Sequence, residues 1–352
     1  MLEQIKQEYD LQGNSFQERF PWIGGDLQTI RDTLCVDLSR QTDVDRFYIP
    51  IEKIPLSNDK KDFLLGYLQV PPNNNFIKAL VLITHGLGGS TKRFGLKRVS
   101  KKLLNDGFAI IKLNLRGAGS GRYLSDSNYS ARCSEDIIAT VNFIKENLIC
   151  KDKRFLNLKH IPVLGLGLSL GGSILLNACC DYEENEKLFD GIACVSTPVD
   201  LKSSSQCIEK RRNFIYQKWL INKLKQQLLD TVIDKKNSFL VNKIKKVKSI
   251  REFDENFTAP SWGYKSVEEY YLKASPIFQI TKNLKKMPPT ILIHSKDDPW
   301  VPYRSTLRLK QIIGENNSFR FLFTEKGGHN GFHSPNGCWS DDVVKNWFNN
   351  LT

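Results

Sequence analysis

The chain lacks most of what would mark a secreted, metal-bound or membrane-spanning protein. Its eight cysteines, at 35, 133, 150, 179, 180, 194, 207 and 338, never fall at the C-x-x-C spacing of a zinc site or a dithiol motif. They read as buried, reduced thiols, and no metal is expected. The start, MLEQIKQEYDLQGN, offers neither a basic stretch nor an apolar one, so neither secretion nor an N-terminal anchor is expected, and the protein reads as cytoplasmic. Internal repeats and low-complexity tracts are missing too. Acidic residues are the minority, 38 against 51 basic, for a formal net charge of +13. That balance attracts anionic surfaces without defining a site. The densest basic cluster, Lys243, Lys245, Lys246 and Lys248 in VNKIKKVKSI, has no interleaved aromatics and no nucleic-acid fold signature. It predicts a solvated helix face or peripheral contact with anionic membrane, and no nucleic-acid partner.

Long apolar runs are equally scarce. The one candidate, PVLGLGLSLGGSILLNACC (162–180), fits both G-x-x-x-G, a helix-packing face in lipid, and G-x-S-x-G, a turn that presents serine. A membrane helix here would carry Pro162, Gly165, Gly167, Gly171, Gly172 and Asn177, with no second span elsewhere, so the first reading fails. A dinucleotide-binding loop fails as well, because the glycines come late in the sheet and no acidic residue ends a strand about 20 residues on.

What is present is an alternation. The chain has 352 residues, 40% of them hydrophobic, enough for a large core. From residue 62 onward, strand-like runs (FLLGYLQV, ALVLITHG, AIIKLNL, IPVLGLGL, GIACVST, TILIHSK, FRFLFTEK) alternate with helix-like stretches near 94–106, 134–148, 170–182, 304–313 and 340–350. This predicts an α/β fold, a mostly parallel central sheet with helices on both faces, the strands flanking Asn73–Asn75 forming its antiparallel edge. Residues 1–45 read as a polar lead-in packed on the core, 46–200 and 273–352 as the core, and 201–272 as a helical cap insertion over the ligand-binding edge of the sheet. In the cap, Phe214, Trp219, Leu220, Leu224 and Leu228 recur at helical spacing, as packing between cap helices, some of them lining an acyl pocket.

If IPVLGLGL is a strand and LGGSILLNACC a helix, Ser169 occupies the strained turn between them and points away from the sheet, with Gly167 and Gly171 giving room to neighbouring backbone. A serine nucleophile on such a sheet needs an acid and then a histidine at the ends of later strands. After TILIHSK comes Asp298, the start of D-x-x-V-P, with Asp297 as the alternative acid; after FRFLFTEK comes His329 in GGHNG. Of the five histidines, His333 lacks the preceding glycine pair, His294 sits inside an apolar strand, and His160 precedes the Ser169 strand. The fifth, His85, opens HGLGG, whose backbone can supply an oxyanion donor at Leu87; Leu170, at a helix N-terminus, supplies the other. Gly86 and Gly88 of that turn are candidate substrate contacts.

These residues resemble the α/β-hydrolase superfamily and, within it, the YheT-like branch. The resemblance runs from about residue 20 to the C-terminus and rests on PWIGGDLQTI, HGLGGS, NLRGAGSG, GLGLSLGG, STPVDL, SIREFDENFTAPSWGYKSVEEYY, DDPWVP and EKGGHNGF. The phrase with Arg251-Glu252-Phe253-Asp254 and Tyr270-Tyr271 is the most specific to the branch. Asp26 departs from it, many relatives having histidine before Leu-Gln-Thr. The resemblance implies a serine esterase for carboxylic esters, lipid or acylglycerol esters among them, working without a cofactor. An acyltransferase with the same triad and a non-catalytic binding protein remain open. Nothing in the sequence sets the oligomeric state.

Overall fold

The computed structural model describes residues 16–35, 44–52, 62–71, 77–155, 161–184, 186–232 and 238–352. The expectations for the N-terminal 14-mer, for His160 and for the Asn73–Asn75 turn lie outside these residues. The core is an eight-stranded sheet. Its strands are β1 (Asp45–Ile51), β2 (Asp62–Gln69), β3 (Leu80–Thr84), β4 (Ala109–Asn114), β5 (Val163–Leu168), β6 (Gly191–Val195), β7 (Thr290–Ser295) and β8 (Phe319–Thr324). They lie in the order β1-β2-β4-β3-β5-β6-β7-β8. The β1–β2 and β2–β4 pairs are antiparallel and all others parallel.

Two expectations are corrected here. The antiparallel edge is β1 with β2, not the pair flanking Asn73–Asn75, because β2 pairs with β4 while β3 joins the parallel set. β1 itself was not expected: its apolar alternation is weak and it contains Pro50, a residue without N–H that an edge strand tolerates. The cysteine reading also needs adjusting, since Cys150 is exposed and Cys35 and Cys207 are half-buried.

In β3 every residue is buried, with Leu80 and Leu82 packed on one face of the sheet and Val81 and Ile83 on the other. That two-sided apolar pattern is what a parallel strand covered by helices requires. Helices α1 (Gly25–Leu34), α2 (Phe94–Asn105), α3 (Ser134–Phe143) and α4 (Leu170–Asp181) follow one another among the first strands. α4 is so enclosed that ten of its residues from Gly171 to Cys180 are buried. At the end of β4, Arg116 is itself buried and ion-paired to Asp62 at 2.9 Å and to Asp136, tying β4 to β2 and α3.

Between β6 and β7 the chain is helical: α5 (Leu201–Ile208), α6 (Phe214–Val232), α7 (Ser238–Lys246), a helical turn Ile250–Phe253, α8 (Val267–Ala274) and α9 (Pro276–Ile280). This stretch has an apolar cluster of its own, in which Leu220, Leu224, Ile244 and Phe253 are buried and Trp219 and Leu228 half-buried. Phe214 departs from the expected packing, being 62% exposed. The lysines of α7 and after are exposed around buried Ile244 and Val247, and Lys243 lies over the Phe257 ring. After β7 and β8 come α10 (Tyr303–Ile313) and α11 (Trp339–Asn349).

Candidate active site

The connections from β3 and β5 leave the sheet in opposite directions, and a crevice opens where they part, beyond the C-terminal strand ends. Ser169 stands there, between β5 and α4, at φ 55 and ψ −126, a conformation that costs a non-glycine residue about 1–3 kcal/mol. The neighbouring glycines make the turn possible. A Cβ on Gly167 would come within 2.3 Å of Gly172 Cα, and one on Gly171 within 2.6 Å of the Thr84 carbonyl oxygen. Ser169 N–H donates to the Val195 carbonyl at 2.9 Å, but its hydroxyl caps nothing in α4. That hydroxyl is 2.9 Å from His329 Nε2.

The acid and the imidazole come from the loops after β7 and β8. His329 Nδ1 is 2.8 Å from Asp298 Oδ2. The other Asp298 oxygen accepts the Trp300 and Val301 N–H groups, at 2.8 and 2.9 Å. Burial by itself would raise this carboxyl's pKa, but the adjoining His329 and His294 imidazoles hold it well below the usual carboxylate range. An ionised carboxylate only accepts, so His329 carries its proton on Nδ1 and leaves Nε2 to accept from Ser169. The ring is stacked on Trp300, centroids 4.6 Å apart. Asp297, the alternative acid, faces elsewhere: its Oδ1 accepts Gly328 N–H at 2.9 Å.

The remaining histidines have other occupations. His294 lies 3.0 Å from Thr306 Oγ1 and 3.1 Å from the Val301 carbonyl, behind Asp298. His333 faces Asp32 at 3.2 Å. His85 is fully buried, which drives its pKa down to about 4. Its Nε2 accepts Leu115 N–H at 3.2 Å, which leaves Nδ1 to donate to the Gly86 carbonyl at 2.8 Å. Gly89 N–H bonds the same carbonyl at 3.1 Å. A trans peptide holds its C=O and N–H on opposite sides, so pinning the Gly86 carbonyl fixes the direction of the Leu87 N–H. Neither the Leu87 nor the Leu170 N–H has an acceptor among the described residues. Both residues line the same cavity as Ser169.

The two expected glycine contacts separate. Gly86 lies against Ser169, since a Cβ there would be 2.9 Å from Ser169 Cβ. Gly88 is not in the cavity wall, and its N–H donates to Tyr129 Oη at 2.7 Å. Gly88 therefore anchors the turn to Tyr129.

Sequence reasoning missed the part played by α1. His329 N–H donates to Thr29 Oγ1 at 2.8 Å. Gln28, fully buried, accepts the His333 N–H at 2.7 Å and donates to the His333 carbonyl at 3.1 Å. A Cβ on Gly25 would strike the Asp297 carbonyl oxygen at 2.2 Å, so the start of α1 lies directly on the acid loop. The only signal was PWIGGDLQTI, which the branch resemblance picked out without a role. Asp26 reaches the other way, to Arg212 and to Tyr216 Oη, both at 3.0 Å, joining α1 to α6.

The cavity, about 220 Å³, lies between the sheet edge and the helices inserted after β6, with Leu87, Leu201, Ile208, Trp219 and Leu220 in its wall. Among the described residues no cluster of His, Cys, Asp and Glu is arranged to hold a metal ion, and no helix is long and apolar enough to cross a membrane.

A family model described as serine aminopeptidase, S33, matches residues 76–336. The Escherichia coli protein YheT is 28% identical over 284 residues, 77% of this chain and 76% of that one. The monoacylglycerol lipase of Saccharomyces cerevisiae is 26% identical over 309 residues, 84% of this chain but only 64% of the lipase. A solved soluble variant of the yeast monoglyceride lipase, in complex with a substrate analog, superposes with a TM-score of 0.55 at 17% identity, covering 86% of this chain and 96% of that one.

Proposed function

Because the chain belongs to the serine aminopeptidase S33 family of α/β-hydrolases, on its YheT-like branch, we propose that it is a serine hydrolase of carboxylic esters, lipid or acylglycerol esters included. One observation carries the reading. The Ser169 hydroxyl, the His329 imidazole and the Asp298 carboxylate form an unbroken hydrogen-bonded line, 2.9 and 2.8 Å, at the rim of an apolar cavity.

Ser169 Oγ attacks the ester carbonyl carbon as His329 Nε2 takes the hydroxyl proton. The carbonyl oxygen becomes an oxyanion, held by the Leu87 and Leu170 N–H groups. Collapse breaks the carbon–oxygen bond to the alcohol, which leaves with the proton from His329, and Ser169 keeps the acyl group. Water, deprotonated by His329, then releases the acid and restores the serine. Asp298 stays ionised throughout and offsets the imidazolium charge. The inserted helices 201–272 serve as a cap that shelters the acyl chain, and residues 46–200 with 273–352 as the catalytic core.

Incubation with a p-nitrophenyl ester chain-length series, monoacylglycerols and phospholipids, with and without added alcohol, tests this reading. Free acid is expected, with a fluorophosphonate attached at Ser169. Transfer of the acyl group to the alcohol in preference to water would make the protein an acyltransferase. Cleavage of an aminoacyl anilide but of no ester would move it to peptide chemistry, and no labelling at all would leave a binding protein.

The positive chain and the exposed lysines around Ile244 support peripheral contact with anionic membrane. Co-sedimentation with phosphatidylserine vesicles is expected to weaken as salt rises from about 0.05 to 0.5 M; binding indifferent to salt would remove this part of the proposal.

A further inference from the structure

The cavity carries a carboxyl that hydrolysis does not use. Asp254 opens a π-type turn, Asp254–Thr258, where the helical turn from Ile250 would otherwise continue. Such turns collect at functional sites because they push side chains out of helical register. Asp254 lies in the wall of the cavity that holds Ser169 and His329, and also borders a smaller cavity beside Leu224 and Phe257. Its surroundings are mostly apolar, yet it is not isolated: Tyr271 Oη is 2.9 Å from Asp254 Oδ2 and 3.1 Å from Ser205 Oγ. A phenol has one proton, and the carboxylate is the stronger acceptor. Tyr271 therefore gives its proton to Asp254, with the Ser205 hydroxyl beside the same phenol.

No lysine or arginine among the described residues pairs with Asp254, and the charge acting on it, Glu209, has the same sign. Burial pushes its carboxyl up to about 6, and only the Thr258 and Tyr271 hydroxyls work against that. A carboxylate accepts about four hydrogen bonds, so capacity remains on the cavity side. An ammonium is the less suitable occupant, because the same wall already holds the Arg93 guanidinium and the whole chain is positive. A neutral hydroxyl meets neither obstacle.

Building on the ester-hydrolase reading, we propose that Asp254, backed by Tyr271 and Ser205, is the specificity-determining subsite for a free hydroxyl on the ester, carried by a polyol alcohol moiety. A hydrogen bond to a charged acceptor is worth about 10- to 100-fold in kcat/KM. The test uses the full chain and four octanoate-length esters: methyl octanoate, 1-octanoylglycerol, methyl 8-hydroxyoctanoate and octanoylcholine. Wild type is expected to favour the glyceryl over the methyl ester by at least about tenfold. Asp254→Asn is expected to bring that ratio close to one, and Tyr271→Phe, which keeps the ring, to lower it part of the way. A ratio is internal to each preparation, so a general loss of folded enzyme cancels, and Tyr271→Phe decides the matter if Asp254→Asn does not fold. A ratio unchanged in the variants overturns the proposal. So does a collapse confined to the hydroxyacyl ester, which would put the hydroxyl on the acid side, or to the choline ester, which would make the subsite a cation site. Failure of wild type on all four esters and on the chain-length series above instead sinks the ester-hydrolase reading itself.

Discussion

Ser169→Ala is expected to lower kcat on a p-nitrophenyl ester by about 10⁴- to 10⁶-fold, and His329→Ala by a similar factor. The double variant should be scarcely worse than either single one. Groups that act as one unit fail as one unit, since a serine without its base is a poor nucleophile at neutral pH and a base without its serine has nothing to deprotonate. The loss should be kinetic only. The Ser169 hydroxyl makes no capping bond in α4, so its removal leaves the elbow with the glycine-made space that formed it. Thermal unfolding of Ser169→Ala should therefore match wild type within about 1 °C, less than a 1 kcal/mol change would produce in a protein of this size. Retention of a tenth of wild-type turnover would reject Ser169 as nucleophile, whatever the melting curve.

Asp298→Asn should cost about 10⁴-fold in kcat near neutral pH, while Asp297→Asn should cost little. The asymmetry follows from what each carboxylate touches. Asp298 accepts from His329 Nδ1 at 2.8 Å, whereas Asp297 turns to the backbone of Gly328, accepting its N–H at 2.9 Å. An asparagine at 298 that keeps its carbonyl on the Trp300 and Val301 N–H groups turns its NH₂ toward His329. Nδ1 must then accept, the ring proton moves to Nε2, and Nε2 meets the serine hydroxyl as a second donor. The loop survives and the base is lost. Equal effects of the two substitutions would show that the acid loop matters for folding rather than for the imidazole.

How much of this was legible in the sequence depended on whether the signal was local. Ser169 declared itself because an elbow of this kind forces glycine at 167 and 171, and both demands fall within five residues. Asp298 and His329 followed from order along the chain, each arriving as a strand of branched apolar residues ends. The two-sided apolar runs of β3 to β7 likewise read directly as buried parallel strands. β1 did not, since an edge strand with one pairing partner has weak periodicity. Thr29 and Gln28 were out of reach for a different reason: their partners, His329 and His333, lie 300 and 305 residues away, and no local rule links them. Gly86 and Gly88 share one turn and look alike in sequence, and only the position of Tyr129 tells their settings apart. Asp254 was marked by resemblance alone. A carboxylate in a helical segment reads as a solvent-facing residue until the tyrosine from α8 is seen against it.

The hydrogen bonds from α1 to the histidine loop also bear on how the protein comes to be active. During synthesis Ser169 leaves the ribosome long before His329 does, and the hydroxyl alone is inert. Even after the loop emerges, the His329 backbone has to find Thr29 and the His333 backbone Gln28, both made hundreds of residues earlier. On the proposed mechanism activity thus waits on one of the widest loop closures in the chain, and a half-made polypeptide carries the serine without its base.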